Sequence, residues 1–187
     1  HAAEPTLDGF LADLSRFSEI REFAAMVSER HPVIHGILHN AASIDGDFEG
    51  KKKFGFGEST EFTMMVNTWA PFLLTSLLME NLRASGAGRV VFSSSAALGH
   101  QELLDDLNLE RTWTGNAAYS FSKLCGAMLG EEMHQRYGDA PRLCFHTIDP
   151  GRADTKLARH GASWAAGVRK GRGQRKTRSR GNILGTL

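Results

Sequence analysis

Cysteine is scarce in this sequence, and the features that would mark a secreted or membrane protein are also absent from it. The two cysteines, Cys125 and Cys144, have the spacing of neither a metal site nor a redox motif. Buried free thiols in a reducing compartment are their ordinary interpretation. The longest apolar stretch, residues 64–79, is interrupted by asparagine, proline and hydroxyl residues, so no membrane span is expected. No basic-then-apolar leader opens the sequence, which favours a cytoplasmic location.

Neither sign of charge dominates overall, since the formal net charge is +1, but two parts of the chain differ. Residues 1–151 hold 12 basic and 20 acidic side chains, whereas residues 152–187 hold 10 basic and one acidic. Residues 169–180 include seven Lys or Arg and no large apolar side chain. Such a segment cannot offset its ordering entropy by burial. We therefore expect one domain over residues 1–168 and a basic, disordered tail over residues 169–187.

Apolar runs of strand length alternate with stretches of helical spacing, which predicts an α/β domain with a parallel sheet. The expected strands are residues 9–12 (short and weak), 33–40, 89–95 and 142–148. Their continuous apolar character indicates burial on both faces. The expected helices are one from Ser15 or Ser18 to Pro32, one over residues 60–84 and one over residues 117–137.

Tyr119 and Lys123 are four residues apart in an expected helix, so their side chains share one helix face. Such a pair suits proton transfer to or from an alcohol or ketone. A free phenol has a pKa near 10, and an ammonium that interacts by roughly 4 kcal/mol would lower it by about three units. The spacing therefore predicts that Lys123 lowers the pKa of Tyr119. Taken alone it is a weak motif, because two tyrosines and seven lysines give it by chance about once in fourteen sequences.

Small and polar residues stand where the expected strands end, which is where open parallel sheets bind ligands. Ser95 would hydrogen-bond a substrate oxygen there, although a serine run is also an ordinary polar strand end. Asn67 lies in an apolar helix and needs partners, which a proton relay or an ordinary core contact would supply equally well. Asn40, Ala41 and Ala42 would admit a flat ligand or simply form a turn. The last strand ends similarly, with Pro150, Gly151 and Thr155.

The order of these residues resembles the short-chain dehydrogenase/reductase family over roughly residues 7 to 165. That family ends its fourth strand in Asn-Asn-Ala-Gly, which reads here as His39 to Ala42. The segment Asp106-Leu107-Asn108 and the long interval before the tyrosine look most like the retinol-dehydrogenase-like branch. The other matches are Asp13 for the aspartate that contacts adenine, Asn67 for the helix asparagine, Ser95 for the catalytic serine, Tyr119 and Lys123 for Tyr-x-x-x-Lys, and Pro150, Gly151 and Thr155 for the last strand end.

The resemblance implies a Rossmann-like doubly wound sheet and an NAD- or NADP-dependent interconversion of an alcohol with a ketone or aldehyde. Tyr119 would exchange the substrate proton, and Lys123 would lower its pKa and hold the nicotinamide ribose. Ser95 would orient the substrate oxygen, and Asn67 would keep a relay water. A homodimer through the helices of Asn67 and Tyr119 is also common in the family. The cofactor-binding residues would be Asp13, Asn40, Ala41, Ala42, Lys123, Pro150, Gly151 and Thr155.

The start of the sequence departs from that family pattern. The family opens with a strand and a glycine-rich turn that carries the cofactor pyrophosphate on a helix N-terminus, and no such turn precedes the first expected strand. The first two strands of the sheet would then be absent, which leaves the strand at 33–40 with an exposed apolar edge. Because the sequence also begins with His1 and not with Met, we expect a fragment of a longer enzyme with an incomplete sheet.

Two other functions fit parts of the sequence. A non-catalytic relative acting in regulation or interaction would explain the missing phosphate-binding turn, but such relatives usually lose the tyrosine or the lysine, and both are present. An arm that binds nucleic acid or an anionic surface would use the basic tail, which has no aromatic residue to stack on bases. The sequence therefore favours an oxidoreductase with a small-molecule substrate and argues against a nucleic-acid partner.

Overall fold

The structure is a computed structural model that describes residues 6–44, 52–55, 57–151 and 183–184. Helices and strands alternate along most of this part of the chain. In chain order they are α1 (Phe17–Arg30), β1 (Gly36–His39), α2 (Phe62–Met64), a π-helical turn (Met65–Trp69), α3 (Ala70–Leu77), α4 (Met79–Ala84), β2 (Gly88–Ser93), a 3-10 turn (Gln101–Leu103), α5 (Gly115–Tyr137), β3 (Leu143–Ile148) and β4 (Ile183–Leu184).

The four strands form one sheet in the order β1-β2-β3-β4. The first three are parallel, with Gly36 beside Arg89 and Arg89 beside Cys144. The expected parallel α/β sheet is therefore confirmed, as a partial one with three parallel strands. β4 pairs antiparallel with the end of β3, although its two residues belong to the predicted tail. The rest of that tail lies outside the described residues.

α5 lies very close to the sheet because Gly130 carries no side chain. A Cβ atom at this position would lie 2.6 Å from Oγ1 of Thr147 on β3 and 3.2 Å from a ring carbon of Phe92 on β2. This close approach brings the first turns of α5 to the carboxyl ends of both strands. The core beneath it is a cluster of buried apolar side chains, namely Leu82, Val90, Phe92, Met133, Leu143 and Phe145.

The sequence predicts an exposed outer edge on β1. Within the described residues no strand pairs with this edge, and Leu38 is 61% exposed. An apolar groove of about 500 Å³ runs beside β1 between α1 and α3, with Val27 and Leu74 among its walls. The prediction of two-sided burial is wrong for β1, because nothing in the described part of the chain covers this side. The expected strand at residues 9–12 is also wrong, since no neighbouring strand offers it a ladder.

The expected helix over residues 60–84 is interrupted twice. The first interruption is the π-helical turn at Met65–Trp69, and the second is at Leu78, whose φ of −100° and ψ of 11° separate α3 from α4. Pro71 explains the first, because it has no N–H to offer the carbonyl of Asn67 four residues earlier.

The Ser15 or Ser18 cap expected for α1 is wrong, since Arg16 precedes the helix and its side chain makes no capping hydrogen bond.

Two further expectations concern burial and membranes. Both cysteines are buried and free, as expected of structural thiols. Among the helices of the described ranges, none is both long and apolar enough to cross a membrane.

Candidate active site

The carboxyl end of β2 meets the first two turns of α5. The hydroxyl of Thr114 accepts a hydrogen bond from the N–H of Ala117 at 3.1 Å, and this cap begins α5 two residues earlier than expected. Tyr119 and Lys123 then point from the same helix face, with Nζ of Lys123 5.7 Å from the centroid of the Tyr119 ring. The predicted pairing of their side chains is therefore present in the structure.

Ser95 follows β2 on the side of the Tyr119 phenol. Burial raises the pKa of Tyr119, the Ser95 side chain lowers it by a smaller amount, and the negative charge of Asp149 raises it further. The pKa of Tyr119 is therefore above its usual value. The expected lowering by Lys123 is not found in this structure, because its ammonium group donates a hydrogen bond to the Ser93 carbonyl oxygen at 2.8 Å.

Lys123 is a buried cation, only 5% exposed. Burial lowers its pKa from 10.5 to about 8. An ammonium group has three donors, and in the described residues one of them is used, on the Ser93 carbonyl oxygen. Such a group costs stability and leaves donors available, which is the usual condition of a lysine that serves a ligand or a reaction.

Asn67 lies in the π-helical turn and holds the chain that follows β1. Its Oδ1 accepts from the N–H of Ser43, and its Nδ2 donates to the Ser43 carbonyl oxygen and to Oγ of Ser122, each at 2.8 Å. Ser122 in turn donates to the carbonyl oxygen of Tyr119 at 2.8 Å. One amide side chain thus ties the loop after β1 to the helix that carries Tyr119. The partners that the sequence demanded for this buried amide are backbone groups and a serine.

A small cavity lies between the Asn67 turn, the end of β2 and α5. Its volume is about 10 Å³, close to the minimum that holds one water molecule. The carbonyl of Asn67 lacks its α-helical partner because of Pro71, and its oxygen lies 3.8 Å from where a Cβ of Gly126 would be. The cavity is lined by His39, Ala41, Asn67, Pro71, Phe92, Ser93, Ser94, Lys123 and Gly126.

The chain that follows β1 passes both this cavity and the open groove. Asn40 and Ala41 are exposed and line the groove, and Ala41 also lines the small cavity. Ala42 is half-buried, immediately before the Ser43 that Asn67 holds. The small residues predicted to follow this strand thus lie beside the site.

The other residues predicted to bind a cofactor lie before α1 and after β3. Asp13 precedes α1, and its Oδ1 accepts from the N–H of Ser15 at 2.9 Å and from its hydroxyl at 2.7 Å. Its neighbour Leu14 lines the same groove as Asn40. Pro150 and Gly151 follow β3, and Gly151 has a φ of +74°. Thr155 lies outside the described residues.

Sequence reasoning assigned no role to two charged or titratable residues of this region. His39 stacks on Phe92 with ring centroids 5.1 Å apart, and its Nε2 shares a hydrogen bond with Oγ1 of Thr75 at 2.7 Å. Burial lowers the pKa of His39 to about 4. The second residue is Asp149, whose negative charge contributes to the raised pKa of Tyr119. Only its place directly before Pro150 pointed to it.

Comparisons with known proteins identify the family. A family model described as short chain dehydrogenase matches residues 1–166. Human retinol dehydrogenase 13 is 34% identical over 151 residues, which are 79% of this chain and 44% of that protein. Zebrafish polyprenol dehydrogenase is 30% identical over 153 residues, or 78% of this chain and 45% of that protein.

One solved structure shows the same fold. It comes from Shigella flexneri 2A in complex with NADP and has a TM-score of 0.59 at 23% identity. The alignment covers 81% of this chain and 59% of that structure. The chain spans about half the length of the curated relatives that it matches.

Proposed function

Given that the chain belongs to the short-chain dehydrogenase family, in its retinol-dehydrogenase-like branch, we propose that this site transfers the proton in an NAD- or NADP-dependent interconversion of an alcohol with a ketone or aldehyde. The observation that carries the proposal is the meeting of Tyr119 with Ser95 and Lys123 at the carboxyl end of β2. Ligands bind at this end of the strands in open parallel sheets.

Tyr119 is the proton donor for reduction. Its raised pKa keeps the phenol protonated at neutral pH, so it can give its proton to a carbonyl oxygen as that oxygen becomes an alkoxide. The Ser95 hydroxyl, on the side of the same phenol, would hold the substrate oxygen in reach of Tyr119. The reverse reaction needs the phenolate, and a charged Lys123 beside the ring would favour that form.

The described residues fit the nicotinamide end of a cofactor. The two ammonium donors of Lys123 that are unused within the described residues suit ribose hydroxyls, and the small side chains of Ala41 and Ala42 permit close approach of a flat ring. The left-handed backbone at Gly151 gives a second close approach beyond β3. When bound, the nicotinamide supplies or accepts the hydride. Asp13, Asn40, Pro150 and Thr155 stay candidates by resemblance.

The proton that Tyr119 gives up would be replaced through the small cavity. A water there would contact the Asn67 carbonyl oxygen, which Pro71 leaves without its helical donor, and the ammonium group of Lys123. The hydrogen bonds of the Asn67 side chain hold this carbonyl in place.

A cytoplasmic location and a homodimer through the Asn67 and Tyr119 helices also stay proposals.

A turnover assay tests the function. The chain is mixed with NADH or NADPH and a panel of aldehydes and ketones that includes retinaldehyde, because several relatives are named retinol dehydrogenases. Tyr119→Phe should lower turnover by roughly 10²–10⁴-fold through loss of the proton donor. Tyr137→Phe, at the exposed end of the same helix, is the matched control and should be unchanged. Equal turnover in both variants contradicts the proposal.

A further inference from the structure

Glu61 is a buried carboxylate that the proposed chemistry does not use. It is 0% exposed and lies at the N-cap of α2. Its Oε2 accepts a hydrogen bond from the N–H of Met64 at 2.7 Å, and its Oε1 accepts one from Nε1 of Trp113 at 3.0 Å. A buried carboxylate is costly unless it is paired or hydrogen-bonded, so both donors matter to Glu61.

The capping hydrogen bond alone does not explain a glutamate at this position. The side chains preferred at an N-cap are serine, threonine, aspartate and asparagine, which are all shorter. The greater length of Glu61 lets one oxygen cap α2 while the other accepts from Trp113. Trp113 lies 52 residues further along the chain, at the end of the segment that joins β2 to α5. Glu61 therefore connects α2 to that segment.

The same segment has a second hydrogen-bonded link to the chain at the start of α2. Oδ1 of Asn108 accepts from the N–H of Glu61 at 2.6 Å, and its Nδ2 donates to the Ser59 carbonyl oxygen at 3.0 Å. The indole of Trp113 also packs against the apolar cluster that includes Ala118 of α5. Two polar links and an apolar contact thus hold this segment between α2 and α5.

Trp113 lies directly before the residue that caps α5. The hydroxyl of Thr114 accepts from the N–H of Ala117 at 3.1 Å, and its carbonyl oxygen accepts from the N–H of Ala118 at 2.9 Å. Tyr119 is the next residue of the helix. A displacement of Trp113 would therefore move the helical turn that presents the phenol.

The start of α5 also lies close to the chain after β1. A Cβ atom at Gly115 would lie 3.3 Å from the Ile44 carbonyl oxygen and 4.0 Å from Cη2 of Trp113. Ile44 follows Ser43, which the Asn67 side chain holds. Two side-chain networks thus meet at the first turn of α5, one through Asn67 and one through Trp113.

We propose that Glu61 is a positioning residue, which by holding Trp113 fixes the start of α5 and so the place of Tyr119 relative to Ser95. The proposal rests on the function proposed above, because the place of Tyr119 affects catalysis only if Tyr119 transfers a proton. A misplacement of about 1 Å in a reacting group lowers a rate by about 10²-fold. Glu61 therefore affects turnover without contacting the substrate.

Hydrogen exchange tests the positioning without cofactor or substrate. Trp113→Phe removes the indole donor and keeps an aromatic ring against the apolar cluster. In NMR of ¹⁵N-labelled protein, the amides of Ala117 and Ala118 should exchange about tenfold faster in this variant, because local opening exposes them. The amide of Met133, later in the same helix, should keep its parental rate. Trp69→Phe, at another indole packed on that cluster, is the matched control and should leave all three rates unchanged.

Two outcomes of the exchange experiment overturn the proposal. Parental rates at Ala117 and Ala118 in Trp113→Phe would show that the indole hydrogen bond does not hold the start of α5. Equally faster exchange at Met133 would show a loss of global stability and no positioning.

A double-mutant cycle separates the hydrogen bond from packing. Glu61→Gln offers a single carbonyl oxygen to two donors, so either Met64 or Trp113 loses its acceptor and Tm should fall. In Trp113→Phe only one of the two donors remains, so adding Glu61→Gln should lower Tm much less. Equal falls of Tm in the two backgrounds would mean that Glu61 and Trp113 act independently, which overturns the proposal.

The turnover assay distinguishes positioning from stability alone. In folded Trp113→Phe, kcat should fall by roughly tenfold or more while the KM for the carbonyl substrate stays near its parental value, because the proton donor is misplaced. Parental kcat together with faster exchange at Ala117 and Ala118 overturns the proposal. If exchange responds as expected but the parent turns over no substrate, Glu61 still positions the helix and the proposed function fails.

Discussion

The carboxyl ends of β2 and β3 differ sharply from the outer edge of β1. At the first place, α5 covers the sheet, Asn67 joins three chain segments, and Lys123 donates a hydrogen bond to the Ser93 carbonyl oxygen. At the second, within the described residues, the strand edge is unpaired and an apolar groove lies beside it. The hydrogen bonds of Asn67 and Lys123 therefore do not involve the open edge.

Each region buries a nitrogen base, and the reasons differ. Near the open edge, His39 is neutral, stacked on Phe92 and hydrogen-bonded to Thr75, so its environment satisfies it. At the site, Lys123 has a lowered pKa and one hydrogen bond on its ammonium group within the described residues. A base whose hydrogen-bonding groups have partners is explained by packing. A base with unused hydrogen-bond donors suggests a role in the chemistry.

The largest expected effect comes from breaking the link between the regions at Asn67. Asn67→Ala removes partners from both backbone groups of Ser43 and from Ser122, at roughly 1–3 kcal/mol each. We expect the free energy of unfolding to fall by about 4 kcal/mol in urea titrations. Asn40→Ala, at an exposed position, should change it by no more than about 0.5 kcal/mol. Equal losses in both variants would mean that the hydrogen bonds of Asn67 contribute nothing to the free energy of unfolding.

His39 should make the protein sensitive to acid. Its folded pKa of about 4 lies below the ordinary 6.5, so the unfolded chain binds the proton more readily between these values. Stability is fully present above pH 6.5 and is lost as pH falls toward 4, by about 3 kcal/mol. His39→Asn should flatten this part of the pH–stability curve, and the exposed His35→Asn should not. Parallel curves for the parent and His39→Asn would contradict the account.

Lys123 should lower the stability of the folded protein at neutral pH, whereas His39 should not. Its folded pKa of about 8 lies below 10.5, so the penalty is complete below pH 8 and disappears as pH rises to 10.5. Lys123→Met removes roughly 3 kcal/mol of penalty and loses roughly 1 kcal/mol of hydrogen bonding to Ser93, so a net gain of about 2 kcal/mol is expected at pH 7. The exposed Lys53→Met is the control. Stabilisation together with lost turnover would mark Lys123 as functional, and a destabilised variant would refute this.

The smallest effect on stability is expected at the open edge. Leu38 is 61% exposed, so Leu38→Lys should change the free energy of unfolding by less than about 0.5 kcal/mol. The charge should nevertheless reduce association, because exposed apolar edges pair with other strands. Light scattering against concentration measures this, with Leu7→Lys, at another exposed leucine, as the control. Undiminished association in Leu38→Lys would show that this edge is not the contact.

The sequence predicted most of the sheet because strand-length apolar runs and glycine-bounded helices are local signals. It failed where neighbours decide the outcome. Residues 9–12 have strand composition but no partner, and Leu38 is apolar although its side of the sheet is open. In the site, the Tyr119–Lys123 spacing was readable. The direction of the Lys123 ammonium and the charge of Asp149 were not, because both depend on contacts between β2, β3 and α5.

Isotope transfer tests the central claim most directly. Retinaldehyde, or the best substrate of the panel, is reduced with NADH or NADPH that carries deuterium at both C4 positions, and the alcohol is weighed by mass spectrometry. The account predicts deuterium in the alcohol for the parent and for Tyr137→Phe, with transfer roughly 10²–10⁴-fold slower in Tyr119→Phe. Transfer by Tyr119→Phe at the parental rate would contradict it.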